Sequence, residues 1–394
     1  MTPFATVQRA LSNPLRNITH FGAIAVFLLL ISFLVVLSTF WGHLSSGGHT
    51  WNSADWLINS EVVNVRRGLF GSVVLWISDG FRISPLVTVI ALQSSLAGIV
   101  TAGAVRAVVL SPHGRLKALL FISPGFCLLF WAADPAGAAR KELITYAAMS
   151  LLLFTNGHTR RDRMVVTGAS LLFAFGVSGH IANAMMTPMF LFTAWLALGR
   201  RPPIWIAGAG VMCVWAAFNT WYAIRFSGIS SAMDVCRPLL ERGLDESLCA
   251  DAIRVTAANT SEAIDFVANG AIGNGDGYWH IIIYPALLVP IVYLVRRTDG
   301  WSLLRWPIAL SVLPLLPLYT VGFDWGRQTV MHITPIILML ALCLLRGRIV
   351  QVREVPQRIA WFMLFLALIW APRHTFGIEW GMPLGMVLRI FGIV

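Results

Sequence analysis

Apolar residues in this chain do not alternate with polar ones and do not keep to one face of each helical turn; they come in long runs separated by short charged stretches. A helix rising ~1.5 Å per residue needs about 20 such residues to cross a ~30 Å hydrocarbon layer. Runs of this kind stand at about 21–41, 83–105, 118–133, 142–156, 164–178, 184–199, 204–224, 280–295, 302–322, 329–345 and 359–375, with a further segment at 380–394. Strands of a membrane barrel would alternate apolar and polar positions, and these runs do not. The pattern therefore predicts an all-α, polytopic integral membrane helix bundle of about 11 transmembrane helices, within a range of about 10–12. Runs shorter than about 20 residues must lean on neighbours or thin the bilayer. The segment 68–80 is apolar but too short to cross, and it is expected to form a re-entrant or interfacial helix.

Composition agrees with a bilayer setting. Hydrophobic residues make up 57% of the 394 and charged residues 12%, with mean hydropathy +0.74. Ordinary soluble domains carry about 25% charged residues, so a soluble globular reading is excluded. The net charge of +11 arises from 29 basic and 18 acidic residues, and Lys117 and Lys141 are the only lysines. With the N-terminus in the cytoplasm and loops alternating sides, one face collects Arg9, Arg16, Arg106, Arg115, Lys117, Arg160, Arg161, Arg163, Arg200, Arg201, Arg296, Arg297, Arg305, Arg346, Arg348, Arg353 and Arg358. Against them stand only the acids Asp162, Asp299 and Glu354. This is the positive-inside pattern, and it accounts for the basic excess without nucleic acid. Reading 68–80 as a crossing would invert every later loop. The first apolar run lacks a small-residue cleavage site behind it, so it reads as a retained first span.

The chain is expected to be a single transmembrane domain, 1–394, with one large outer loop at 225–279. That loop holds Cys236 and Cys249, for which a disulfide and two free thiols are both open readings; Cys127, Cys213 and Cys343 are expected to be buried small apolar residues.

The short outer loops carry more charge than joining helices requires. The first, at 51–72, holds Asp55, Glu61, Arg66 and Arg67; the second, DPAGAARKE, holds Asp134, Arg140, Lys141 and Glu142. His180 lies in a third, DWGR supplies Asp324 and Arg327, and Arg373, His374 and Glu379 follow the last long run. Charges at membrane depth are costly unless paired or solvated, so the set suggests a polar cavity opening outward. The plainer reading is that each pair marks a helix end, where arginines snorkel and carboxylates cap. Arg66–Arg67 and Arg140–Lys141 are cation pairs suited to a lipid-linked phosphate or pyrophosphate, and Arg327 either completes that clamp or pairs with Asp324. Asp55 or Glu61 is the leading general base, although a separation of six residues does not place them on one helical face; His180 is the alternative. Several tryptophans near outer boundaries, Trp51, Trp56, Trp279, Trp325, Trp370 and Trp380, read as an interfacial belt or as sugar-stacking rings. No phosphate loop, HExxH pair or GxSxG turn occurs, and neither a metal nor a cofactor is called for.

On these features, Asp55 or Glu61, RRGLFG at 66–71, DPAGAARKE at 134–142, the large outer loop and DWGR at 324–327, the chain resembles bacterial O-antigen or exopolysaccharide polymerases and related multispanning lipid-phosphate-sugar glycosyltransferases of the GT-C-like type. It departs from the wider glycosyltransferase pattern in lacking adjacent acids in the first outer loop. The resemblance implies a cell inner membrane enzyme transferring sugar from a polyprenyl-(pyro)phosphate carrier at the periplasmic face. Its partners would be the lipid-linked glycan, membrane lipids and other polysaccharide-assembly proteins. The competing readings are a flippase or transporter of a lipid-linked glycan and a noncatalytic subunit of an export complex.

Overall fold

The computed structural model describes residues 19–110, 113–156, 159–198, 203–226, 231–273, 276–322, 324–375, 377–382 and 384–391. Arg9, Arg16, Arg200 and Arg201 of the basic face lie outside them, as does the end of the 380–394 segment. The architecture is all-α, with a two-stranded antiparallel pairing of Ala371–Pro372 against Ile378–Glu379 and an isolated antiparallel bridge between Thr298 and Val352. Among the described residues five stretches are long and apolar enough to cross a membrane: His20–Ser45, Pro85–Leu110, Trp279–Arg296, Trp301–Val321 and Trp325–Leu345. Arg160–Gly179 and Pro203–Arg225, of 20 and 23 residues, cover two more of the expected runs.

Other expected spans fold as short or broken helices. The run 118–133 is split into Gly114–Phe121 and Cys127–Ala133, because the Ser123-Pro124-Gly125 stretch cannot continue a helix. Leu143–Leu152, Thr187–Leu198 and Gln357–Ile369 also fall short of a full crossing. Gly68–Phe81 is a helix of 14 residues, ~21 Å at ~1.5 Å per residue, which agrees with its not being a complete span.

Helix faces explain the bilayer setting better than length does. His20–Ser45 begins at Thr19, whose hydroxyl accepts the Gly22 N–H, and it buries Ala25, Leu28, Leu29, Ser32 and Val36 along one side. Its opposite side shows Phe27, Leu30, Leu34 and Trp41 outward. A helix turned to water would be polar on that side; apolar residues on both sides suit a protein core on one hand and lipid on the other. Pro203–Arg225 does the same, with Met212 and Ala216 inward and Val211, Val214 and Trp221 outward. Cys213, expected to be buried, lies off that inward edge and is exposed, whereas Cys127 and Cys343 are buried.

At the centre stands Trp325–Leu345, buried from Gly326 to Leu344. It packs against Thr187–Leu198, Trp279–Arg296, Leu143–Leu152 and Pro85–Leu110. Thr334, one residue before the helix-interior Pro335, donates its hydroxyl to the Gly125 carbonyl at 3.1 Å and accepts the Cys127 N–H at 3.0 Å. One side chain thus satisfies a backbone group inside the break and one at the start of the helix after it, which makes irregular backbone tolerable inside the bundle.

The hydrophilic excursion lies across the first charged loop. Cys236 and Cys249 are joined as a disulfide. The Thr50 hydroxyl donates to Asp251 at 2.6 Å, the Ala252 N–H to the Thr50 carbonyl, and the Asn59 amide to the Val235 carbonyl. Below it, Gly68–Phe81 passes close to the chain at 57–58; a Cβ at Gly71 would stand 2.2 Å from the Ile58 carbonyl oxygen. Gly71→Val should therefore lower the thermal midpoint of the detergent-solubilised protein by at least the ~1–3 kcal/mol of an overpacked core. Gly168→Ala, a helix position with nothing within 4 Å of the added carbon, should raise it by up to ~1 kcal/mol. Equal responses of the two variants would refute the close approach at Gly71.

Candidate functional site: a buried cluster of cations and carboxylates

Backbone and amide hydrogen bonds first bring together stretches far apart in the chain. The Trp56 indole donates to the Ala139 carbonyl at 3.0 Å and Asn52 to the Pro135 carbonyl at 2.8 Å. Gln93, in the middle of Pro85–Leu110, donates to both the Asn52 and the Ala139 carbonyls at 3.1 Å. Asn183 donates to the carbonyls of Lys141 and Gly176 and accepts the Thr145 hydroxyl. On the far side the N–H groups of Gly326 and Arg327 bond to the carbonyls of Thr375 and His374. Position 326 must be glycine for this contact, since a Cβ there would meet the Arg373 carbonyl oxygen at 1.7 Å.

The charged side chains converge within this frame. Asp324 Oδ2 accepts from Arg140 Nη1 at 2.9 Å and lies 3.0 Å from Arg327 Nη2. Arg327 Nε stands 3.9 Å from Glu142 Oε1, and Arg67 Nη1 stands 3.6 Å from Asp55 Oδ1. Lys141 Nζ donates to the Arg67 carbonyl at 3.0 Å, and the Trp51 ring covers the Arg140 guanidinium. Arg67 and Ala139, the residue before Arg140, both have positive φ, 71° and 47°. Such backbone is uncommon for side-chain-bearing residues, and strain of this kind gathers at functional sites. Arg67 is the most accessible of the paired groups, at 26% of its side chain, while Arg140, Asp324, Arg327 and Glu142 are at 10% or less. In place of an open hollow, the expected polar site is a packed cluster with one accessible edge.

Four cations, Arg67, Arg140, Lys141 and Arg327, face three carboxylates, Asp55, Glu142 and Asp324. With all seven ionised, one positive charge is left over in a setting where an uncompensated charge costs several kcal/mol. The hydrogen-bond inventory points the same way. Arg67 Nε, Arg140 Nε, Arg327 Nε and Nη1, and His180 Nε2 are buried without hydrogen-bond partners, as are Asp55 Oδ2 and both Glu142 oxygens. Native interiors satisfy nearly all such groups; the five free donors around an excess cation, which outnumber the three free carboxylate oxygens, are suited to a polyvalent anion.

Protonation states narrow the roles. Burial pushes the Asp55 carboxyl up, but Lys141, Arg67 and Arg140 together outweigh it and hold the group below the ordinary aspartate range. Asp55 is thus a firmly ionised counter-charge and a weak base. Burial drives the Lys141 ammonium down to about 8, with Asp55 opposing and Arg67 adding to the shift. His180 is held far below its ordinary value by burial and then by Arg67 and Arg327, so it is neutral. Its Nδ1 accepts the Ala182 N–H at 2.9 Å, which leaves the proton on Nε2. His180 therefore presents a donor and does not suit the role of alternative general base.

Seven of the expected site residues meet here: Asp55, Arg67, Arg140, Lys141, His180, Asp324 and Arg327. Two do not. Glu61 is held by both terminal nitrogens of Arg242, at 3.1 and 3.2 Å, in a network that includes Asp79. Arg66 turns to the carbonyls of Val255 and Ala258, because the left-handed backbone at Arg67 makes a corner that parts adjacent side chains. Trp56, expected at the boundary, is fully buried as a structural donor. Glu142, the bridging amides of Gln93 and Asn183, and an Asp134–His374 pair at 2.7 Å went unassigned. Gln93 did carry a signal: a polar residue inside an apolar run needs a partner at membrane depth. Comparison of the chain with protein families, with curated proteins and with solved structures gives no match.

Asp324→Asn should cost about 3–5 kcal/mol, because two buried guanidiniums lose their shared counter-charge; thermal unfolding in detergent checks this, and a loss below about 1 kcal/mol would contradict it. Since the Lys141 ammonium is charged below about pH 8 and lost above it, affinity for inorganic pyrophosphate should fall as pH rises through that value or, with the bound anion favouring the ammonium, somewhat above it. Lys141→Arg should flatten the fall, as titration calorimetry across pH would register.

Proposed function

We propose that this chain is a bacterial inner-membrane glycosyltransferase or glycan polymerase that takes its sugar from a polyprenyl-(pyro)phosphate carrier at the outer face. The observation that carries the reading is the convergence of Arg67, Arg140, Lys141 and Arg327 from separate stretches, with one positive charge in excess and unpartnered N–H donors around it. Charge bookkeeping along the sequence supports the sidedness. Residues 55, 67, 140, 141, 180, 324 and 327 all belong to loops that the positive-inside pattern assigns to one face of a bundle of about 11 spans, N-terminus in the cytoplasm.

The chemistry follows from the arrangement. Guanidinium N–H groups of Arg140 and Arg327 bind phosphate oxygens, with His180 Nε2–H as a further donor. Asp324 keeps both arginines in register, and Asp55 and Glu142 limit the repulsion among the cations. As the bond from sugar to phosphate breaks, negative charge grows on the leaving oxygen, where fixed donors in a water-poor site stabilise it most. The carrier supplies the activated sugar, so no nucleotide sugar is required at this site.

Purified protein reconstituted with a defined polyprenyl-pyrophosphate oligosaccharide should yield longer glycans. Arg140→Gln and Arg327→Gln should each lower that rate by about 100-fold or more, the scale of losing a transition-state donor, while the protein still inserts. Transfer of the lipid between leaflets without elongation would favour a flippase, and neither activity would favour a noncatalytic subunit.

A further inference from the structure

The cluster that would hold the phosphate lacks a good proton acceptor. Asp55 is ion-paired and sealed, Glu142 has free oxygens but its side chain is only 1% exposed, and His180 offers a proton where a base must offer a lone pair. A base must also meet the acceptor hydroxyl, which arrives from outside, so some exposure is required of it.

His374 meets these conditions. Its Nδ1 lies 2.7 Å from Asp134 Oδ2, and its backbone N–H donates to the same oxygen at 2.5 Å. The second carboxylate oxygen is held by the Gly137 N–H. An ionised carboxylate only accepts, so the ring proton sits on Nδ1 and the lone pair on Nε2. The ring keeps 16% of its side chain exposed. It is also tied to the anion cluster by backbone. The His374 carbonyl accepts the Arg327 N–H at 3.1 Å, the Thr375 carbonyl accepts the Gly326 N–H, and His280 Nε2 lies 3.1 Å from that same Thr375 carbonyl. His49 and Asp324 are both in electrostatic reach of the ring. The partly exposed imidazole thus lies beside the charged cluster, in reach of Asp324, the carboxylate shared by Arg140 and Arg327.

We propose that His374 is the catalytic base of the transfer and that Asp134 is its positioning residue; this rests on the glycosyltransferase reading above. The acceptor hydroxyl gives its proton to His374 Nε2, and its oxygen lone pair forms the new bond to the anomeric carbon. The bond from that carbon to the carrier phosphate oxygen breaks, and its electron pair leaves on the phosphate, beside Arg140 and Arg327. The imidazolium, stabilised by Asp134, returns its proton to bulk water.

The test measures two quantities on reconstituted protein: affinity for the polyprenyl-pyrophosphate donor and the rate of glycan extension. His374→Ala should lower the rate by about 100-fold or more, the usual scale of general-base loss, with donor affinity within about twofold of the parent. Added imidazole should restore part of the lost rate. Asp134→Asn should lower the rate with donor affinity kept, and imidazole should not restore it, since the ring is still present. Extension within about threefold of the parent in His374→Ala, loss of donor affinity together with rate, or the absence of imidazole rescue would each overturn the assignment. Failure of the underlying reading looks different: there the parent protein neither extends the glycan nor loses donor affinity in Arg140→Gln.

Discussion

A guanidinium is tolerable in an apolar interior only when a carboxylate faces it and its N–H groups find acceptors, and one end of this bundle is arranged around that requirement. Asp324 is the hub. It receives Arg140 from the second charged loop and Arg327 from its own helix, so two distant parts of the chain are held in register by one carboxylate. Glu142 and Asp55 extend the pairing to the far side of Arg327 and to Arg67. Compensation is nonetheless incomplete, by one charge and several hydrogen bonds. A bundle selected for stability alone would do better with well-packed apolar residues at these positions. The residual deficit is what an anionic ligand would make good.

The frame around the hub is built from neutral groups. Gln93, Asn52, Trp56 and Asn183 spend their donors on carbonyls at 52, 135, 139, 141 and 176, and these bonds fix the loops that carry the cations. Rigid support of this kind is what lets like charges be held close without splaying apart, and it places the guanidiniums before any ligand arrives.

Much of the site could be read in the sequence, for a physical reason. Charge at membrane depth is costly, so Asp55, Arg67, Arg140, Lys141, Asp324 and Arg327 stood out against their apolar surroundings without knowledge of contacts. The span pattern likewise marked the helical class and the five stretches long and apolar enough to cross a membrane. What it missed depends on geometry with no one-dimensional trace. Nothing in RRGLFG distinguishes Arg66 from Arg67; only a positive φ at the second sends them apart. Glu61 looked like a partner for Arg66 or Arg67 because they are neighbours in sequence, yet Arg242, in the later excursion, holds it. The Asp134–His374 pair joins residues 240 positions apart, which spacing along a chain cannot reveal. Short helices such as Cys127–Ala133 and Leu143–Leu152 were over-extended because apolar runs mark burial in protein and burial in lipid alike.

Trp325–Leu345, which carries Arg327 and follows directly on Asp324, has protein on every side along nearly its whole length. A helix with lipid on one flank adjusts its tilt when the bilayer thickens or thins. This one is screened from the acyl chains by its neighbours, so the depth of the anion cluster is a property of the folded chain and is decoupled from the thickness of the host membrane.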